Sequence, residues 1–190
     1  MSIIHRTTLK PTKLELLADW LPKQPWYRGS GTPELTKAGG FRLDDPAGEV
    51  GLEFMAATDA SGPEPVTYHV PMAYRGAPLE GAPDDALIGT VEHGVLGRRW
   101  VYDGAKDPVL VRELTALLQG DVPAHAQSVD GALDPTVHAR VTGDGVRPEI
   151  VRVLEAGSKA PDDALGEVSA EWDAEGERRV RGVFVVVRAG

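Results

Sequence analysis

The sequence predicts an α+β fold in which an antiparallel β-sheet packs against one helix, with a second helix and a C-terminal β extension. Residues 66–75 alternate with the period of a half-buried strand. One face of this strand carries Val66, Tyr68, Val70, Met72 and Tyr74. Residues 12–21 place apolar side chains at helical spacing, and residues 137–188 contain four further strand-like runs.

The strands follow one another as a meander. Val50, Leu52, Phe54 and Ala56 form an apolar row that matches the row on residues 66–75, and the turn formers of Asp59–Pro65 separate the two strands. Two more strands follow, Ala86–Glu92 and Val95–Tyr102, with only His93-Gly94 between them. Residues 23–41, by contrast, are rich in Pro and Gly and are predicted to form a loop.

Both helices have start signals in the sequence. Thr12 and Glu15 form a capping box, and two prolines end the helix that follows. For the second helix, the sequence predicts Asp107 as the N-cap, Pro108 at the first helical position and Gly120 at the C-terminal end. The first helix is short, so packing against a curved sheet must stabilise it.

The chain is predicted to contain a region 1–120, a linker or long loop 121–135 and a β-rich extension 136–190 packed on the same core. An opening strand is expected at Ile3–Leu9. In the extension, Val183–Val187 is continuously apolar and predicts a strand buried on both faces, and a hairpin turn is expected at Ala174–Glu177.

Composition limits the function classes. The 190 residues carry a formal net charge of −9 and no run of basic residues, which argues against nucleic-acid and anionic-membrane surfaces. There is no cysteine, which excludes disulfides, thiol nucleophiles and cysteine-ligated metals. Without a signal peptide or a long apolar span, the sequence predicts a cytoplasmic protein.

Motifs for catalysis are weak. The five histidines fall in no metal-binding spacing, and no nucleophile motif is present, so neither a metal nor a cofactor is expected. Glu92-His93 is an acid–histidine neighbour pair at a predicted sheet rim. His69 lies on the other face of its strand from Tyr68 and is interpreted as a solvated polar side chain.

Aromatic and arginine side chains occur close together and are the best candidates for binding, because both are favoured at protein interfaces and sugar sites. The proposed interaction surface consists of Trp26, Tyr27, Arg28, Tyr74, Arg75, Arg98 and Trp100. Packing in the core is the alternative for most of these side chains.

Four blocks carry a family resemblance: IIHRTTLKPTKLELLADWLPKQPWY, AGGFRLDDPAGEVGLEFM, PVTYHVPMAYRGAPL and ALIGTVEHGVLGRRWVYDGAKDPV. Together they resemble the N-terminal cap domain of actinobacterial maltokinases, from Ile3 to about Gly120. The resemblance implies a cystatin-like sheet wrapped around the helix that Thr12 caps. In the kinases, which phosphorylate maltose with ATP in the trehalose–maltose–α-glucan pathway, the cap carries no phosphotransfer residues.

The sequence has no His-Gly-Asp catalytic loop and no later acidic metal-binding motif, and phosphoryl transfer needs such groups. The expectation is therefore a stand-alone, non-catalytic, cap-like protein that binds an enzyme of α-glucan, maltose or trehalose metabolism. The alternative is a module that binds a glucan, a sugar or another small molecule; a small enzyme is the third possibility. Formation of a homodimer is a further possibility.

Overall fold

The structure is a computed structural model that describes residues 9–129, 131–174 and 178–190. The strand predicted at Ile3–Leu9, apart from Leu9, lies outside the described residues, as does most of the turn predicted at Ala174–Glu177. No helix within the described ranges is long and apolar enough to cross a membrane.

The described residues form an α+β architecture with two short α-helices and a mostly antiparallel sheet. The helices are α1 (Lys13–Trp20) and α2 (Pro108–Gln119). The strands are β1 (Leu9–Lys10), β2 (Leu35–Leu43), β3 (Gly51–Asp59), β4 (Val66–Arg75), β5 (Leu87–His93), β6 (Gly97–Asp103), β7 (His125–Ala126), β8 (His138–Val141), β9 (Val146–Ile150), β10 (Val153–Leu154), β11 (Gly166–Ala174) and β12 (Arg178–Ala189).

The predicted helix caps are confirmed. In α1 the backbone N–H of Glu15 donates to Thr12 Oγ1 at 3.2 Å, and the N–H of Thr12 donates to Glu15 Oε2 at 2.7 Å. These two bonds satisfy amides that the helix itself leaves unpaired. Asp107 caps α2, and Gly120 ends it in the left-handed conformation with φ 81°.

The sheet runs in the order β1-β5-β6-β4-β3-β2-β11-β12-β9, and each of these pairs is antiparallel. Three short strands pair off this path: β10 with β4, β7 with β2 and β8 with β11. The strands predicted in residues 137–188 are present, with the predicted strand at 149–155 divided between β9 and β10.

Residues 146–154 close part of this sheet into a ring. Ile150 of β9 lies opposite Val185 of β12, whereas Val153 of β10 lies opposite Tyr68 of β4. At the other side of the ring, β11 meets β2 where Trp172 lies opposite Gly39. A closed path of paired strands therefore runs through β2, β3, β4, residues 146–154, β12 and β11.

Two apolar cores lie on opposite faces of the central strands. One, the α1 core, contains Leu16, Leu17, Trp20 and Leu21 of the helical segment together with Met55, Tyr68, Val70 and Met72 of the sheet. The other, the α2 core, contains Leu110, Leu114, Leu117 and Leu118 with Phe41, Phe54, Trp172 and Phe184. Each helix thus buries its apolar stripe on a different face of the sheet.

This arrangement corrects two expectations. Phe54 and Ala56 lie opposite Pro71 and His69, so their row faces the α2 core and not the face that carries Tyr68. His69 is fully buried beside Phe184, with 4.7 Å between ring centroids, so the prediction that it is solvated was wrong. Both faces of β3 and β4 are covered, and alternation alone could not reveal this.

Two boundaries also differ from expectation. Part of the loop predicted at 23–41 is strand β2, whose Gly39 and Gly40 have φ of 139° and 124° and lie beside a bulge. A Cβ at Gly40 would collide with the carbonyl oxygen of Phe54, which explains why glycines interrupt this strand. The connection between β5 and β6 spans Gly94–Leu96 and not two residues.

The C-terminal strand matches its prediction. Val183, Phe184, Val185 and Val187 are buried, and Val186 is half-buried. On one side β12 pairs with β11, and on the other β9 pairs with Val185–Ala189, so the end of the apolar run has a partner strand at both edges.

Candidate interaction surface

Trp26 and Tyr27 follow α1 and are half-buried against the α1 core. Their ring centroids lie 5.9 and 5.5 Å from that of Tyr68 on β4. Trp26 also meets Trp20 edge-on at 5.7 Å. Such tilted and edge-on contacts are the favoured geometry for aromatic pairs, so these rings contribute to packing even where one edge reaches solvent.

Hydrogen bonds fix this aromatic loop to the sheet. Tyr27 Oη donates to Asp59 Oδ2 at 3.0 Å, and the backbone N–H of Arg28 donates to Tyr68 Oη at 2.9 Å. Burial, and then the bond to Asp59, raises the pKa of Tyr27. Arg28 is exposed, whereas Trp26 and Tyr27 are half-buried, so the aromatic loop presents the positive charge of Arg28 to solvent.

Tyr74 belongs to a polar cluster around the buried carboxylate of Glu53. Its hydroxyl donates to Glu53 Oε2 at 2.9 Å, and the same carboxylate accepts from Lys13 Nζ at 2.6 Å and from Gln127 Nε2 at 2.9 Å. Burial alone would raise the pKa of Glu53, but the nearby charge of Lys13 lowers it overall. Burial and the adjacent Glu53 raise the pKa of Tyr74 well above its ordinary value. The cluster therefore ties α1, β3, β4 and the segment after β7 together.

Arg75 points to the opposite face of the sheet from Tyr74 and forms a bidentate ion pair with Asp107. Its Nε and Nη2 donate to Asp107 at 2.6 and 2.9 Å. The hydrogen bond to Asp107 is the main cause that raises the pKa of Arg75. Asp107 is fully buried and also caps α2, so one carboxylate joins β4 to the helix.

Trp100 and Arg98 lie on β6 on the Arg75 face. Trp100 is half-buried and lies directly opposite Arg75 in the strand register. Arg98 is exposed and pairs with Glu92 at 2.8 Å across the β5–β6 hairpin. Exposed pairs of this kind stabilise a hairpin only slightly.

Six of the seven predicted residues are thus divided between two faces, and Arg28 is exposed. Trp26, Tyr27 and Tyr74 pack on the α1 core, whereas Arg75, Arg98 and Trp100 lie on the α2 side of the sheet. An interaction surface made from either group stays a prediction.

The sequence reasoning missed Arg152. Its Nη2 donates to Asp103 Oδ2 at 2.6 Å, and its guanidinium carbon lies 4.9 Å from the centroid of the Trp26 ring. This cation–π contact covers one face of Trp26 and links the aromatic loop to the segment that closes the ring. No local signal marks Arg152, because its partners lie 49 and 126 positions away along the chain.

The β5–β6 hairpin ends in an exposed apolar tip, defined here as Val95 and Leu96, which are 65% and 45% exposed. Their backbone N–H groups donate to His93 Nδ1 at 3.2 and 3.0 Å, so the tip has a defined shape. The sequence pattern predicts Val95 as the first residue of a strand, but it precedes β6 and is exposed.

Part of the chain matches a known protein family. Residues 20–107 match the family described as the maltokinase N-terminal cap domain. The matched residues run from the end of α1 through β2–β6 to the N-cap of α2. None of the curated proteins matches the chain. The resemblance to the cap domain is confirmed for this part of the chain.

Proposed function

We propose that the protein is a non-catalytic, cap-like accessory protein that binds and modulates a maltokinase-related enzyme of α-glucan, maltose or trehalose metabolism. The observation that carries the proposal is the match of residues 20–107 to the maltokinase cap domain. The proposal includes a cystatin-like relation between α1 and the sheet, a C-terminal extension on the same core, and action in the cytoplasm.

The use of the buried carboxylates supports a role without catalysis. Glu53, Asp103 and Asp107 each accept a bond of 2.6 Å from a cationic side chain, and each joins separate elements of the fold. A phosphotransfer site instead needs a base, metal ligands and a phosphate cradle that converge on a substrate. These three buried carboxylate contacts are accounted for by the fold.

The exposed apolar tip gives the proposal a contact point. Large exposed apolar side chains at a fixed position are favoured at protein interfaces. The backbone N–H groups of Val95 and Leu96 both donate to His93 Nδ1, so the tip is already ordered and little ordering is needed on binding. The tip lies within the region that matches the cap domain.

The test is affinity capture from a native lysate, with identification of the retained proteins by mass spectrometry. The wild type should retain an enzyme with maltokinase-type catalytic lobes, and the variant Val95→Asp/Leu96→Asp should lose it. The matched control is Val129→Asp/Leu133→Asp, which places the same charges on two other exposed apolar residues. Absence of any kinase-like partner from the wild-type capture would contradict the proposal.

Catalysis is tested separately by ATP consumption on the purified protein with magnesium and maltose, glucose or glucosamine. We expect no turnover above the buffer rate. Turnover that persists through a second purification would show that the protein is an enzyme.

A glucan- or sugar-binding module is the second candidate, and the half-buried Trp100 beside Arg98 favours it. Aromatic rings with a polar neighbour suit sugar stacking, whereas Arg152 already covers one face of Trp26. Addition of maltose, maltooligosaccharides or glycogen should then change the tryptophan fluorescence of the wild type but not that of Trp100→Phe. An unchanged wild-type spectrum would argue against this candidate.

A further inference from the structure

Arg99 on β6 is a half-buried arginine without a carboxylate. It lies on the same face as Val101, which packs in the α1 core. No hydrogen bond or ion pair joins Arg99 to any described residue. Four other half-buried arginines each donate to a carboxylate: Arg75 to Asp107, Arg152 to Asp103, Arg181 to Glu171 and Arg188 to Asp163. The chain has 29 acidic residues against 20 lysines and arginines, so a shortage of carboxylates does not explain the exception.

The guanidinium of Arg99 is held in place but remains accessible. A Cβ at Gly76 would meet Arg99 Nη1 at 2.7 Å, so the guanidinium lies against a backbone position that has no side chain. Its Nε is buried without a hydrogen-bond partner, whereas the two terminal nitrogens, which also have no partner among the described residues, reach solvent. Two terminal nitrogens of a guanidinium can donate together to one carboxylate, and this bidentate contact is strong.

The sheet leaves room beside Arg99. β4 pairs with Trp100–Asp103 of β6, so Gly97 and Arg98 extend past the end of β4. Within the described part of the chain, no strand pairs with these two residues on that side. The exposed apolar tip, Val95 and Leu96, adjoins Gly97. Residues 1–8, 76–79 and 93–102 contain no acidic residue, so the adjoining segments do not supply the missing carboxylate.

We propose that Arg99 binds a carboxylate side chain of the partner enzyme, carried by an extended segment that lies past the end of β4 and has apolar residues next to the carboxylate. The carboxylate accepts from the two terminal nitrogens of Arg99, and the apolar neighbours contact the tip. A half-buried positive charge thereby gains the counter-charge that it lacks in the free chain. This inference rests on the accessory role proposed above and adds the chemistry of the contact.

The test uses two blocked pentapeptides, Ala-Leu-Glu-Leu-Ala and Ala-Leu-Gln-Leu-Ala, titrated into the isotope-labelled full chain and followed by NMR. The side-chain N–H resonance of Arg99 Nε, which is shielded from solvent, and the amide resonances of Val95 and Leu96 should shift and saturate with the glutamate peptide. The glutamine peptide should bind about fivefold more weakly, because it cannot form the ion pair.

Arg99→Gln should remove the preference for the glutamate peptide, with the fold checked by the amide spectrum of the free protein. The matched control is Arg140→Gln, which causes the same change in net charge at an exposed arginine on β8. It should keep the preference. The proposal is overturned if the wild type binds both peptides equally, or if Arg140→Gln loses the preference as Arg99→Gln does. The wild-type comparison requires no substitution, so it decides the matter even if Arg99→Gln does not fold.

Failure of this site and failure of the accessory role give different results. Equal binding of the two peptides would overturn the role of Arg99, whatever the lysate capture retains. Peptide discrimination by the wild type, together with a capture that retains no kinase-like enzyme, would support the carboxylate site and contradict the choice of partner.

Discussion

The pair formed by Arg75 and Asp107 provides the sharpest test of the fold. Asp107→Ala removes two interactions at once: the N-cap bonds to the backbone N–H groups of Val109 and Leu110, and the ion pair with Arg75. Loss of an N-cap costs about 1 kcal/mol. Arg75 is only 17% exposed, so leaving it without its carboxylate adds about 2–3 kcal/mol.

The free energy of unfolding should therefore fall by about 3–4 kcal/mol in Asp107→Ala, measured by urea denaturation with circular dichroism. The midpoint of thermal unfolding should fall by about 6–16 °C, as expected for a chain of this size. Asp107→Asn keeps a good capping side chain and should recover about 1 kcal/mol of the loss.

The control is Asp84→Ala, because Asp84 is an exposed aspartate in the first turn of another short helical segment. It should change the free energy of unfolding by less than about 0.5 kcal/mol. A loss below about 1 kcal/mol in Asp107→Ala, or a loss equal to that of the control, would refute the assignment of Asp107 as the link between β4 and α2.

Three further predictions concern Gly40, His69 and Glu53. Gly40→Ala should lower the free energy of unfolding, measured in urea, by more than about 2 kcal/mol, because its Cβ would collide with Phe54. The control Gly48→Ala, at a position with φ 69° and open space, should lower it by about 1 kcal/mol. Equal losses in the two variants would contradict the predicted collision. Burial, and then the charge of Arg152, lowers the pKa of His69 from 6.5 to about 3, so the unfolded chain binds more protons between these values and stability falls as the pH drops through them. Between pH 6.5 and pH 5 the free energy of unfolding of the wild type should fall by about 2 kcal/mol more than that of His69→Leu. If the free energies of unfolding of the two proteins change in parallel with pH, this prediction is contradicted. Glu53→Gln should lower the free energy of unfolding by about 1–3 kcal/mol at pH 7. It should lower it little at a pH below the lowered pKa of Glu53, where the wild-type carboxyl is also uncharged. An equal loss at both pH values would show that the charge of Glu53 does not contribute to stability.

Sequence predicted the elements whose signals are local. The capping box of Thr12 and Glu15 and the Asp107–Gly120 frame of α2 each depend on residues within a few turns of chain, and both were confirmed. Strand β2 was missed because two glycines with positive φ interrupt its alternation. Those glycines are needed where another backbone comes close, and this approach is set by tertiary structure.

The candidate site was less predictable for the same reason. Glu53 finds Lys13 at a separation of 40 residues and Gln127 at 74, so no spacing in the sequence indicates that these groups meet. The burial of His69 depends on Phe184, which comes from the far end of the chain. Aromatic and arginine residues were identified by type, but their division between two faces follows from the strand register.

The closed ring of strands also has a consequence for synthesis. The edge of β4 at Thr67 and Tyr68 emerges from the ribosome before its partner at Val153 and Leu154, about 85 residues later, which at 5–20 residues per second is a delay of about 4–17 s. During that interval the nascent chain presents an unsatisfied strand edge flanked by apolar side chains. We therefore expect the yield of native protein to depend on translation speed and on chaperones that shield nascent chains, much more than on the stability of the finished fold.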